Sequence, residues 1–157
     1  MDFSPDKQYR LDDLMPMIRQ TLGEGRTVVI RPKGTSMLPL IRQGRDSVEL
    51  STLPERLKKY DLPLYQRSDG QYVLHRIVKT GQTYTCIGDN QFQKELGVAH
   101  RQMIAVVSAV YREGKRVPVT AFSYRVYCRL WHWSRPVRNL WVRMGHFIRR
   151  RILHTEK

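Results

Sequence analysis

The chain has 157 residues, which is enough for one domain with a buried core and too few for a large multidomain assembly. Lys and Arg number 28 against 14 Asp and Glu, so the formal net charge is +14 and indicates an anionic partner such as nucleic acid or anionic lipid. With 41% hydrophobic and 27% charged residues, the composition excludes a mainly disordered basic chain.

The cysteine content and the hydropathy pattern exclude further classes of protein. Cys86 and Cys128 are too few for a disulfide framework and are not spaced as zinc ligands, so no metal and no other cofactor is predicted. No stretch approaches the roughly 18 consecutive apolar residues that span a bilayer. Residues 1–10 lack the basic start and apolar run of a secretory signal. We therefore expect a cytoplasmic or peripheral membrane protein, with the side of the membrane left open.

The predicted elements before residue 119 are one helix and six strands. Apolar residues at helical spacing predict a helix that begins near Asp13, keeps Pro16 in its first turn and ends at Gly23. β-branched or alternating runs, separated by turn residues, then predict an antiparallel sheet. The predicted strands cover residues 27–31, 47–50, 62–66, 72–78, 84–87 and 104–111.

The last quarter of the chain has a different composition from the rest. Residues 119–157 hold nine Lys or Arg, a single acid and all three Trp. Apolar residues recur there every three or four positions, Pro136 is predicted to start a second helix, and Ser134 to cap it. We therefore predict a β body over residues 1–118 and a basic amphipathic helical tail over residues 119–157. The fold class is mainly β, with a short N-terminal helix and this tail.

Two placements of the tail are open. Its Trp and Arg side chains suit the interface of an anionic membrane, which is predicted as a partner. The alternative is an amphipathic helix that packs on the β body and keeps its charged side in water. A nucleic-acid partner is not favoured, because no groove-reading motif accompanies the basic residues.

Three short segments carry candidate chemistry: Gly34-Thr35-Ser36-Met37-Leu38-Pro39, Leu74-His75-Arg76-Ile77-Val78 and Gly88-Asp89-Asn90. Gly34 permits a tight turn that would present the Ser36 hydroxyl at a strand end, with its backbone N–H toward an oxyanion. A serine nucleophile needs a base, and His75 is the best candidate in the chain. Asp89 is predicted either to hold the imidazole or to shape a turn.

Side chains alternate along the strand predicted over residues 72–78. Val73, His75 and Ile77 share one face, so His75 lies in an apolar row where little water competes for it. Arg76 lies on the opposite face and is predicted to be solvated or to bridge the sheet.

The order and identity of the three segments resemble the signal peptidase and LexA-like serine peptidases, most of all the signal peptidases that use histidine. The resemblance covers residues 10–112. It implies a β-rich fold and cleavage after small side chains, with release of a leader or signal peptide. It also implies Ser36 as nucleophile, His75 as general base and Asp89 as the support of His75, with the Ser36 N–H as main oxyanion donor.

The residues around the nucleophile are predicted to contact the substrate: Gly34, Thr35, Met37 and Pro39. The chain departs from the family at three points. Gly34 stands where a Ser usually assists the oxyanion hole, and only Glu95 is available where a second Asp often follows Gly-Asp-Asn. The family's transmembrane anchor is also absent from the predicted elements.

The sequence thus predicts a serine endopeptidase with a Ser36–His75 dyad that removes a leader or signal-like segment from a peptide or protein. One alternative is a catalytically inactive module that holds an extended peptide by strand addition, which Gly34 and the missing second Asp favour. The other is a LexA-like regulator whose basic tail contacts DNA. The lack of a helix-turn-helix region before Gly34 counts against that regulator.

Overall fold

The structure is a computed structural model that describes residues 11–140. The first helix, α1, covers Leu11–Gly23 and contains Pro16 in its interior. It begins two residues before the predicted start near Asp13, so Pro16 lies in the second turn and not, as predicted, in the first. The hydrogen bond that Pro16 cannot donate would go to the carbonyl of Asp12, in the first described turn. The predicted apolar face is the one that packs, and its buried members are Met15, Ile18 and Leu22.

Nine strands lie within residues 11–140. They are β1 (Val28–Ile30), β2 (Ser47–Ser51), β3 (Pro63–Gln66), β4 (Tyr72–Leu74), β5 (Arg76–Lys79), β6 (Tyr84–Ile87), β7 (Glu95–Val98), β8 (Met103–Arg112) and β9 (Lys115–Pro118). The larger antiparallel sheet has the order β1-β2-β8-β3-β4, with β9 also paired to β8, and the smaller sheet has the order β5-β6-β7. The prediction of a mainly β body with a short N-terminal helix is confirmed.

The sequence pattern does not predict β7 and β9. β7 has only four residues, two of them exposed, and contains Gly97 at φ +72°, a residue type that is depleted in strands. β9 begins with Lys115 and Arg116, both exposed. The turn before it was recognisable, and Glu113 and Gly114 both have positive φ, as a two-residue hairpin requires.

The strand predicted over residues 72–78 is two strands in the structure. β4 ends at Leu74 and β5 begins at Arg76, and the two belong to different sheets, so His75 lies at the crossover between them. The predicted alternation holds on both sides of this break. Val73 and Ile77 belong to one core cluster, whereas Leu74 belongs to the other.

Past β9 the chain forms helix α2, Phe122–Trp133. Tyr124 and Cys128 are buried in the same core cluster as α1 and the larger sheet, so α2 packs on the β body. The end of β9 coincides with the predicted end of the body at residue 118, but the helix that follows shares the core of the body. No helix among the described residues is long and apolar enough to cross a bilayer.

The chain continues as a helix over residues 135–140. This agrees with the predicted helix start at Pro136 to within one residue. Ser134, however, donates its hydroxyl to the carbonyl of Trp131 at 3.1 Å, so its side chain ends α2 rather than capping the next helix. The remaining part of the predicted tail, residues 141–157, lies outside the described residues.

Candidate active site

Ser36 lies in a turn between β1 and β2 that is fixed on two sides. Met37 is 4% exposed and packs in the core. Gly34 has φ +94°, a conformation that favours glycine, and its N–H donates to Oε1 of Gln43 at 2.6 Å. On the other side, the Ser36 carbonyl accepts the backbone N–H of Asn90 at 2.8 Å. The turn therefore rests on the core and on the Gly-Asp-Asn segment.

The contact between these two segments requires glycine at position 88. A Cβ on Gly88 would lie 2.7 Å from the carbonyl oxygen of Ser36, which is closer than van der Waals contact permits. The side chain of Asn90 also donates to the carbonyl of Thr35 at 3.3 Å. Thr35 is exposed and Pro39 is half-buried, and their predicted roles in substrate binding stay predictions.

Ser36 and His75 line the same cavity, which has a volume of about 210 Å³. Gly34 and Met37 line it as well, so two of the residues predicted to contact substrate are placed beside the predicted nucleophile and base. The sequence separates Ser36 from His75 by a turn and three strands, and the fold brings both to one opening.

His75 is buried, and its surroundings define its protonation. Nδ1 lies 2.8 Å from Oε1 of Glu95 and 3.4 Å from the hydroxyl of Tyr65. Because a carboxylate can only accept a hydrogen bond, Nδ1 carries the hydrogen and Nε2 is the basic nitrogen. Burial lowers the pKa of His75 below its ordinary value, against the opposing effect of Glu95. The imidazole is therefore neutral at pH 7 and able to accept a proton.

Glu95 is held by donors on β3 and just after it. Tyr65 donates its hydroxyl to Oε2 at 2.8 Å, Arg67 donates Nε to the same oxygen at 2.9 Å, and the Arg67 guanidinium also contacts Oε1. Partial burial would raise the pKa of Glu95, but the hydrogen bonds from Arg67 and Tyr65 outweigh it and hold that pKa below its ordinary value. An ionised carboxylate thus orients His75 and would stabilise its protonated form.

Asp89 does not contact Nδ1 of His75, which was the first of the two roles predicted for it. Its two oxygens accept Nε and Nη2 of Arg76 at 2.8 and 2.7 Å, and Glu95 occupies the position beside His75 that was predicted for Asp89. Arg76 is not solvated, because it is 2% exposed. It lies on the face opposite His75, as the alternation predicts, and α2 covers that face.

Side chains from α2 complete the surroundings of this ion pair. Tyr124 places its hydroxyl 3.1 Å from Nη1 of Arg76, and Tyr127 donates its hydroxyl to Oδ2 of Asp89 at 3.1 Å. Trp131 donates Nε1 to the carbonyl of Asp89 at 2.8 Å. Burial opposes the charge on Arg76, but Tyr124 and Asp89 hold the pKa of Arg76 well above its ordinary value. Helix α2 thereby holds the Gly-Asp-Asn segment in place.

Sequence reasoning missed Tyr65 and Arg67 and gave Glu95 no role. Nothing near Tyr65 or Arg67 in the sequence indicates a contact with an acid some 30 residues later. Glu95 did carry a signal, because it is the only acid between residues 91 and 95, just after Gly-Asp-Asn.

No protein-family model, curated protein or solved structure matches the chain. Over residues 11–140, no group of three or more His, Cys, Asp or Glu side chains is placed to hold a metal ion. Cys86 and Cys128 are buried free thiols.

Proposed function

We propose that the protein is a serine endopeptidase in which Ser36 is the nucleophile, His75 the general base and Glu95 the residue that positions His75. The observation that carries this proposal is that Ser36 and His75 line one cavity, while Nδ1 of His75 is bonded to an ionised carboxylate. That hydrogen bond leaves Nε2 unprotonated, as the nitrogen that would take the proton of Ser36 in the proposed reaction. The resemblance of the three segments to histidine-using signal peptidases adds the substrate class, a leader or signal-like segment.

In the proposed reaction, Oγ of Ser36 attacks the scissile carbonyl carbon while its proton passes to Nε2 of His75. The C–N bond then breaks, the proton moves from His75 to the leaving amine, and an ester on Ser36 remains. Water attacks this ester and gives its proton to His75, which returns it to Oγ as the new carboxyl group leaves. The backbone N–H of Ser36 is the proposed oxyanion donor, since Gly34 offers no hydroxyl.

A groove beside the cavity supports an extended peptide as substrate. It has a volume of about 840 Å³, and Leu14, Val29 and Ile30 lie along it. It shares Pro32 and Tyr72 with the cavity of Ser36, so the two openings are adjacent. β1 and β4 are the end strands of the larger sheet and border this region, where a peptide strand would add to the sheet.

The test is mass spectrometry of a diverse peptide mixture after incubation with the purified full chain. We expect Ser36→Ala and His75→Ala each to lower the cleavage rate by roughly 10⁴-fold or more. Ser123→Ala and His100→Ala are the matched controls, because neither residue lines the cavity, and they should cleave as the wild type does. Cleavage that persists in Ser36→Ala would contradict the proposal.

Peptide-binding and DNA-binding measurements on the same protein separate the two alternative functions. A folded wild-type chain that binds peptides and releases no product would replace the peptidase with an inactive peptide-binding module. Salt-sensitive DNA binding without any peptide cleavage would favour a LexA-like regulator.

A further inference from the structure

The C-terminal helical region exposes a row of large apolar side chains. Five of them are between 58% and 82% exposed, and we refer to them as the outer stripe: Phe122, Leu130, Trp133, Val137 and Leu140. They recur at helical spacing, so they follow one side of α2 and of the helical residues 135–140. A contiguous exposed apolar surface of this kind is typical of an interaction site.

The outer stripe is not the face by which α2 packs on the body. Tyr124 and Cys128 occupy the core, and Trp131 is bonded to Asp89, so the inner side of the helix is already filled. Within residues 11–140, the side chains of the outer stripe are left in contact with solvent.

Positive charge borders the outer stripe. Arg125 and Arg129 are exposed and lie beside it at helical spacing. Together with Lys58 and Lys59 they line a cavity of about 420 Å³ next to α2. Asp61 also lines this cavity, and its carboxylate accepts the backbone N–H of Lys58 at 2.7 Å.

An anionic bilayer is the partner whose chemistry matches both features. Its interface takes up Trp, Leu and Phe side chains below the headgroups while Arg and Lys remain at the phosphates. We propose that the outer stripe lies in the interface of an anionic lipid bilayer, with Arg125, Arg129, Lys58 and Lys59 at the lipid phosphates. This inference goes beyond the peptidase proposal and does not depend on cleavage.

The experiment measures co-sedimentation of the full chain with vesicles of phosphatidylcholine alone and of phosphatidylcholine mixed with phosphatidylglycerol. Binding to the mixed vesicles should be stronger and should weaken as salt is added. Removing both arginines, in Arg125→Gln with Arg129→Gln, should lower the affinity for the mixed vesicles by roughly 30-fold, at about 1 kcal/mol for each charge. The matched control removes two exposed arginines elsewhere, in Arg31→Gln with Arg101→Gln.

A second pair of variants tests the apolar part of the surface. Leu130→Gln with Val137→Gln should lower vesicle affinity by about tenfold or more. Met17→Gln with Leu96→Gln replaces two exposed apolar side chains outside the stripe and should leave the affinity unchanged. Circular dichroism and thermal unfolding of every variant should match the wild type, because all of these side chains are exposed.

Three results would overturn the inference. The first is equal binding to neutral and anionic vesicles, or none to either, by folded protein. The second is an equal loss of affinity in the stripe variants and in their controls. The third is a stripe-dependent dimer in sedimentation velocity without vesicle binding, which would make a second copy of the chain the occupant.

Discussion

Asp89 and Glu95 are two acidic residues six positions apart with different partners. Asp89 is buried against Arg76, and Tyr127 donates to the same carboxylate. Glu95 is partly exposed and receives hydrogen bonds from Arg67 and the hydroxyl of Tyr65. Only Glu95 also contacts Nδ1 of His75. Asp89 therefore stabilises the fold by pairing with a buried cation, whereas Glu95 fixes the tautomer of His75 and raises its pKa at the cavity.

A buried cation determines which group a nearby carboxylate pairs with. An unpaired charge in the position of Arg76 would be strongly destabilising, so an acid that can reach it is held there. Both oxygens of Asp89 accept hydrogen bonds from Arg76, and Nδ1 of His75 contacts an acid from the next strand instead. Each of these two roles can be broken separately.

The largest expected effect is the loss of activity in Glu95→Gln. The uncharged amide cannot stabilise a protonated imidazole and no longer fixes the Nδ1–H tautomer. The rate of peptide cleavage should therefore fall by roughly 10²- to 10⁴-fold. The measurement is kcat/KM on a peptide identified in the mixture.

Glu55→Gln is the control for this substitution, because Glu55 is exposed and lies outside the cavity. A rate for Glu95→Gln equal to that of Glu55→Gln would mean that Glu95 does not position the base. Circular dichroism should show that both variants remain folded.

The next largest effect concerns stability, in Asp89→Asn. This substitution leaves the guanidinium of Arg76 buried without its counter-charge, which should lower the free energy of unfolding by about 3–5 kcal/mol. Urea unfolding followed by circular dichroism measures this change. Asp13→Asn, on an exposed position of α1, should change it little. A loss in Asp89→Asn no greater than in Asp13→Asn would show that the ion pair does not stabilise the fold.

The local pattern predicted much of the fold, but long-range pairing decided the site. The alternation around His75 correctly separated Val73 and Ile77 from Leu74, because the pleat of a strand is a local property. It also set Arg76 on the face opposite His75. Alternation does not predict which element covers that face. In the structure α2 covers it, about 50 residues further along the chain.

The candidate site shows the same division. Gly34, Ser36 and Met37 were placed correctly around one turn, since the glycine and the buried Met act within a few residues. The contact between Glu95 and His75 depends on the pairing of β6 with β7, and β7 is a four-residue strand with Gly97 inside it, too short for the pattern to predict. Support of His75, one of the two roles predicted for Asp89, came from the motif alone, and Nδ1 of His75 contacts Glu95 instead.

The most direct test of the account is the acidic limb of kcat/KM against pH, which reports the pKa of the base in the free enzyme. Cleavage requires neutral His75, so kcat/KM should fall as the pH drops through a pKa that lies below the ordinary value of 6.5. Because Glu95 raises this pKa more than Asp89 does, Glu95→Gln should move the limb to lower pH and Asp89→Asn should move it less. An acidic limb that stays in place in Glu95→Gln, or one that moves further in Asp89→Asn, would contradict the account.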